Sequence, residues 1–146
     1  MKSFASLLFL VAGGAVAATA AAATQYAVLQ RHPLGGSGGW DYLTIDAATH
    51  HLLIARNDRV MVVDTRDGKP AGEISGMQHI HGIALLPSQR RGYVSDGAAN
   101  SVREIDLDTL KELRNIPIGG QGPDAIVFDP ASGHVLTMNG HSGKAS

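Results

Sequence analysis

The stretch Ile80-His81-Gly82-Ile83-Ala84-Leu85-Leu86-Pro87, followed by Gly92-Tyr93-Val94-Ser95-Asp96, has a counterpart on either side. Before it stand Trp40-Asp41-Tyr42-Leu43-Thr44-Ile45-Asp46 and Leu52-Leu53-Ile54-Ala55-Arg56. After it stand Pro123-Asp124-Ala125-Ile126-Val127-Phe128-Asp129-Pro130 and Val135-Leu136-Thr137-Met138-Asn139. With Asp41, His81 and Asp124 taken as equivalent, the periods are 40 and 43 residues. From these three to Arg56, Asp96 and Asn139 the separation is 15 residues each time. A third run recurs as Val60-Met61-Val62-Val63-Asp64 and Val102-Arg103-Glu104-Ile105-Asp106, and a fourth as Ala71-Gly72-Glu73-Ile74 and Leu113 to Ile118.

Each unit thus holds four short runs rich in β-branched residues. Asn57-Asp58, Arg66-Asp67-Gly68 and Ala131-Ser132-Gly133 supply the turn chemistry between them. A helical repeat would need apolar residues at i, i+3, i+4 and i+7, which these runs lack. Four strands in about 40 to 45 residues is the arithmetic of a β-propeller blade. The expected fold is all-β, a propeller of four-stranded antiparallel blades at 39–78, 79–121 and 122–146, the last incomplete. His32-Pro33-Leu34-Gly35-Gly36 matches Ile116-Pro117-Ile118-Gly119-Gly120, which ends the second unit. Residues 24–38 therefore read as a closing strand, over Tyr26 to Leu34, with a Gly-rich linker behind it.

Met1 to Ala23 has the layout of a secretory signal. Lys2 comes first, then an apolar run from Phe4 to Val11, then small residues ending in Ala21-Ala22-Ala23. The alternative is a membrane anchor, but the strongly apolar stretch is short and fades into alanine and glycine. A periplasmic or secreted location with no membrane span after cleavage is the expectation. The chain has no cysteine, which removes disulfides, thiolate metal sites and a cysteine nucleophile. Without Lys2, 11 basic side chains face 13 acidic ones, a net charge of −2. That balance argues against a nucleic-acid partner, which calls for a basic patch. Removing 23 of the 146 residues leaves 123, just under three blades at this period.

The repeat resembles the YVTN family of β-propellers, and more narrowly its exported bacterial YncE-like members. The resemblance rests on Tyr93-Val94-Ser95-Asp96, on Val62-Val63-Asp64-Thr65 with Glu104-Ile105-Asp106-Leu107, and on Ile116 to Gly120 leading into Gly122-Pro123-Asp124-Ala125-Ile126. It covers Tyr26 to the C-terminus. It implies a ring of about seven blades, of which this sequence would supply two and a half, a truncated N-terminal portion. The family has no single activity. The position held by Asp41, His81 and Asp124 departs from one residue type.

In a propeller the innermost strand lines a central channel and the next runs antiparallel beside it. Strand starts and the following strand ends then share a face. Asp41, His81, Asp124, Arg56, Asp96 and Asn139 are accordingly the candidate ligand-binding residues of a channel mouth. Asp41, His81, Asp124 and Asn139 are the candidates for a divalent cation, since oxygen and imidazole suit hard or borderline ions. The bland alternative gives these Asp and Asn residues to loop backbone amides. His79 and His81, two apart, would share a strand face and could chelate a metal, or else they lie in the irregular entry to the strand and pair by chance. His50, His51 and His134 fall in turns; His141 follows Asn139-Gly140. Gly35-Gly36-Ser37-Gly38-Gly39 lacks the Gly-Lys-Ser/Thr ending of a phosphate loop. Trp40 reads as packing. No catalytic motif is present.

Two functions follow. The first is a non-catalytic binding or scaffold module for a small molecule or protein. The second resembles metal-dependent lactonase propellers, hydrolases with a cation at the channel mouth. An incomplete ring also predicts self-association.

Overall fold

A computed structural model describes residues 26–146, so the export segment at 1–23 lies outside the described residues. The strands are β1 (Leu43–Asp46), β2 (His51–Asp64), β3 (Pro70–Leu86), β4 (Arg91–Asp96), β5 (Ser101–Asp106), β6 (Lys111–Pro117), β7 (Pro123–Asp129), β8 (His134–Asn139) and β9 (Lys144–Ala145). A short 3₁₀ turn at Pro87–Gln89 separates β3 from β4. All pairings are antiparallel. One sheet runs β1 to β6 in chain order and a second runs β7-β8-β9.

The long strands β2 and β3 are each two of the sequence runs joined. In β2, residues 51–54 pair with β1 and residues 59–63 pair with β3. The joint is Asn57, in the left-handed region at φ 54°, with a register break beside it. Asparagine tolerates that conformation better than a branched residue. In β3, residues 70–75 close the first blade against β2, and residues 80–86 open the second against β4. The sheet therefore passes continuously from one blade into the next.

The main core lies between these two blades. Leu53, Ala55, Val60, Val62 and Ile74 from the first meet Ile83, Val94, Ile105 and Leu107 from the second, with Met77 and Ile80 at the link. All are buried, and each large side chain contributes about 1.5–3 kcal/mol on leaving water. The outermost run β6 is mostly exposed, as expected for the rim of a blade.

Polar contacts set the spacing between blades. Thr44 Oγ1 donates to the Ile83 carbonyl at 2.9 Å, and Ser95 Oγ donates to the Asp124 carbonyl at 2.6 Å. Gly82 is required where β3 meets β7, because a Cβ there would stand 2.7 Å from Ile126 and 3.0 Å from the Asp124 carbonyl oxygen. At the opposite end of the strands, Arg90 reaches across with two nitrogens to buried Asp46, at 2.8 and 3.2 Å. That pairing holds the Asp46 carboxyl below the usual carboxylate range, helped by Thr49 Oγ1 and the Ala48 amide. Asp106 and Asp129 organise their own turns in the same way, accepting from residues two and three positions on.

Tyr26 to Leu34 does not form the predicted outer strand. Over its last residues the reason is local. Pro33 lacks an amide donor, and Leu34 packs on the face of the first blade formed by Ile54, Met61 and Val63. His32 lies over the turn at Gly68, where any Cβ would overlap its ring. His32 to Leu34 thus lie across a blade face rather than along a strand edge.

Candidate functional site

The three strand starts converge. His81 Nδ1 lies 2.8 Å from Asp41 Oδ2 and 3.9 Å from Asp124 Oδ1, so one imidazole links residues from three successive repeats. The side chains remain open to solvent, at 22% for His81, 38% for Asp41 and 61% for Asp124. Asp41 is held just before β1 by its amide bond to the Ala55 carbonyl at 3.0 Å. His81 follows the buried Ile80 in β3, and Asp124 follows Pro123 at the start of β7.

Beside them is a cavity of about 470 Å³ lined by His79, His81, Gly97, Ala98, Gly122, Asp124, Gly140 and His141. A smaller cleft on the other side of His81 includes Trp40, Asp41 and Asn57. The His79 and His81 rings sit edge to face with centres 4.7 Å apart. His79 occupies the left-handed region at φ 59°, where the next repeat has Gly122 at φ 63°. The amide of Gly97 fixes its carbonyl at 3.0 Å. His141, two residues beyond the end of β8 at Asn139, joins the same cavity.

The three strand ends do other work. Arg56 is 1% exposed, and its guanidinium donates to the carbonyls of Gly35, Gly36, Ser37 and Gly38 at 2.7 to 3.2 Å. It also lies 3.8 Å from the centre of the Trp40 ring. The glycine stretch is thus a collar around Arg56, and glycine takes the positive φ of Gly35, Gly36 and Gly38 without the cost a side chain would add. Asp96 is fully buried, accepts from the Gln78 and Ala99 amides, and pairs with Arg103 at 2.9 Å. Asn139 is buried, accepts from Thr137 Oγ1 at 3.0 Å and donates to Ser146 Oγ at 2.9 Å. Arg56, Asp96 and Asn139 therefore brace backbone and strands, and apart from the buried Arg56 Nε, which has no partner, their side-chain polar atoms are bonded within the fold.

Among the described residues no group of three His, Asp or Glu side chains is arranged to hold a metal ion. Asp41, His81 and Asp124 come together, whereas Asn139 is turned into the bonds just described. Among the described residues no helix is long and apolar enough to cross a membrane. Sequence spacing found the convergence of the strand starts. It missed the Arg56 collar, whose only signal was an arginine 17 residues after a glycine run.

No known family and no curated protein sequence matches the chain. Solved structures do. Hydrazine synthase of Kuenenia stuttgartiensis is similar over 77% of this chain and 32% of its own, with 22% identity and a TM-score of 0.65. The Cps50 (Swd1) β-propeller domain of Myceliophteria thermophila is similar over 73% of this chain and 35% of its own, with 16% identity and a TM-score of 0.60. The chain spans about a third of the length of these two structures. At this level of identity the likeness establishes the fold: the chain is built of β-propeller blades.

Proposed function

We propose that this chain belongs to an exported β-propeller of the YVTN type, YncE-like in character, that binds a small polar ligand at its channel mouth. The observation carrying this reading is the meeting of Asp41, His81 and Asp124 at 2.8 and 3.9 Å beside an open cavity. Three repeats place an equivalent, partly exposed polar side chain at the same point, while the paired strand-end positions are buried. A rigid ring presenting polar groups at one rim is suited to binding. The export segment and the ordered repeat motifs support the family reading.

The test is a thermal-shift screen of the full chain against small polar metabolites and divalent cations, repeated with Asp124→Ala and His81→Ala. A compound that raises the melting temperature of the parent and loses its effect in both variants is the expected result. Stabilisation that persists in both variants, or no stabilisation by any compound, contradicts the reading.

A further inference from the structure

The cavity wall carries an imidazole pair that the channel-mouth reading does not by itself explain. Asp41 sits 2.8 Å from Nδ1 of His81. A carboxylate only accepts, so this contact keeps the proton on Nδ1 and leaves the Nε2 lone pair on the far side of the ring. That is how second-shell carboxylates orient metal-binding histidines. The Nε2 side faces Gly97, where a Cβ would stand 3.2 Å from Nε2. Glycine at that position keeps the nitrogen open to the cavity.

The second ring is held in place by its backbone. His79 adopts φ 59°, and its carbonyl is fixed by the Gly97 amide at 3.0 Å. The preceding Gln78 carbonyl is fixed by Ala98 at 3.2 Å. A left-handed histidine costs free energy that glycine, present at the matching Gly122, avoids. Its ring centre lies 4.7 Å from that of His81. Two imidazoles sharing one ion, each nitrogen about 2.1 Å from it, have ring centres roughly 5 Å apart. The χ2 angle of His79 is soft, so its ring can turn without moving the backbone.

We infer that His79 and His81 form a two-histidine chelate for a borderline divalent cation such as zinc, with Asp41 as the positioning carboxylate. Solvent completes the coordination, in keeping with the absence of any three-residue cluster among the described residues. Imidazole suits zinc, nickel and copper and does not suit calcium. The inference rests on the channel mouth being a binding site and names the ligand class on this wall of it.

Calorimetric titration of the full chain with zinc chloride, and separately with calcium chloride, tests it. Zinc is expected to bind with one equivalent and calcium not at all. His79→Gly, which suits the backbone conformation and so preserves folding, should weaken zinc binding about tenfold or more, as should His81→Ala. Asp41→Asn should weaken it about 10- to 100-fold. The double variant His50→Ala/His51→Ala should leave it unchanged. Imidazole proton–nitrogen correlation spectra should show zinc moving the His79 and His81 signals but not His134. Absence of zinc binding, zinc binding unaltered in His79→Gly and His81→Ala, or calcium binding of equal strength overturns the inference. If zinc fails while a metabolite still depends on Asp124 and His81, the channel-mouth reading stands and the metal assignment alone falls.

Discussion

Asp41, His81 and Asp124 keep 22 to 61% of their side-chain surface in solvent and bond mainly to one another. Arg56, Asp96 and Asn139, 15 residues later in each repeat, are 2% exposed or less and bond to backbone and neighbouring strands. Both sets are polar, both recur with the same period, and both lie at strand termini on one face. Burial separates their roles. A polar group removed from water must find partners within the protein, and once it has them it is no longer available to a ligand. A polar group left at a rim has no such obligation.

The comparison makes graded predictions. The largest loss is expected for Asp96→Ala, which strips two amides and the Arg103 guanidinium of their acceptor. Because Arg103 retains Glu112 at 3.1 Å, the cost should be about 3 kcal/mol in urea unfolding. A loss below about 1 kcal/mol would break the assignment of the strand ends to structure. Arg56→Ala should cost about 2 kcal/mol, since the collar carbonyls can turn to water but the buried cavity cannot refill. Its second sign is a shift in Trp40 fluorescence, because the cation now over that ring is gone. Arg56→Lys should rescue little, as an ammonium cannot span four carbonyls as a planar fork does.

Asp46 supplies the pH arm. Its folded-state pKa is depressed, chiefly by the Arg90 hydrogen bonds. The stability it contributes is therefore present above the usual carboxylate value of about 4 and is lost as pH falls through the lower folded value. Asp46→Asn should remove about 1–2 kcal/mol at neutral pH and flatten the acid limb of stability below about pH 4. An unchanged acid limb would show that the clamp between blades is not Asp46–Arg90. The smallest effect belongs to Asp124→Ala, within about 0.5 kcal/mol of the parent, because its carboxylate is solvated and 3.9 Å from its partner.

The blades were legible because period-2 apolar runs and turn residues act locally. Val60, Val62, Val94 and Ile105 are buried where alternation puts them. The convergence of Asp41, His81 and Asp124 was legible because equal spacing within equivalent blades places equivalent residues on one rim. What spacing could not supply was the local bonding of each position. Nothing in the sequence distinguishes an Asp96 bonded to Gln78 and Arg103 from an Asp41 left at a rim. Arg56 looked like a ligand residue because its collar is held by long-range contacts between a guanidinium and carbonyls of Gly35 to Gly38. The run at Tyr26 to Leu34 carried a strand-like pattern, but Leu34 is used for face packing instead. The sequence left His79 either on the strand or in its irregular entry; its left-handed backbone, fixed beside Gly97, places it in the second.

The most direct test sets His81→Ala beside Asp96→Ala in one urea-unfolding experiment on the full chain, with folding of each variant checked by circular dichroism. The account predicts that His81→Ala stays within about 1 kcal/mol of the parent while Asp96→Ala loses about 3 kcal/mol. Equal losses, or a larger loss for His81→Ala, would contradict the division between a binding rim and a bracing interior.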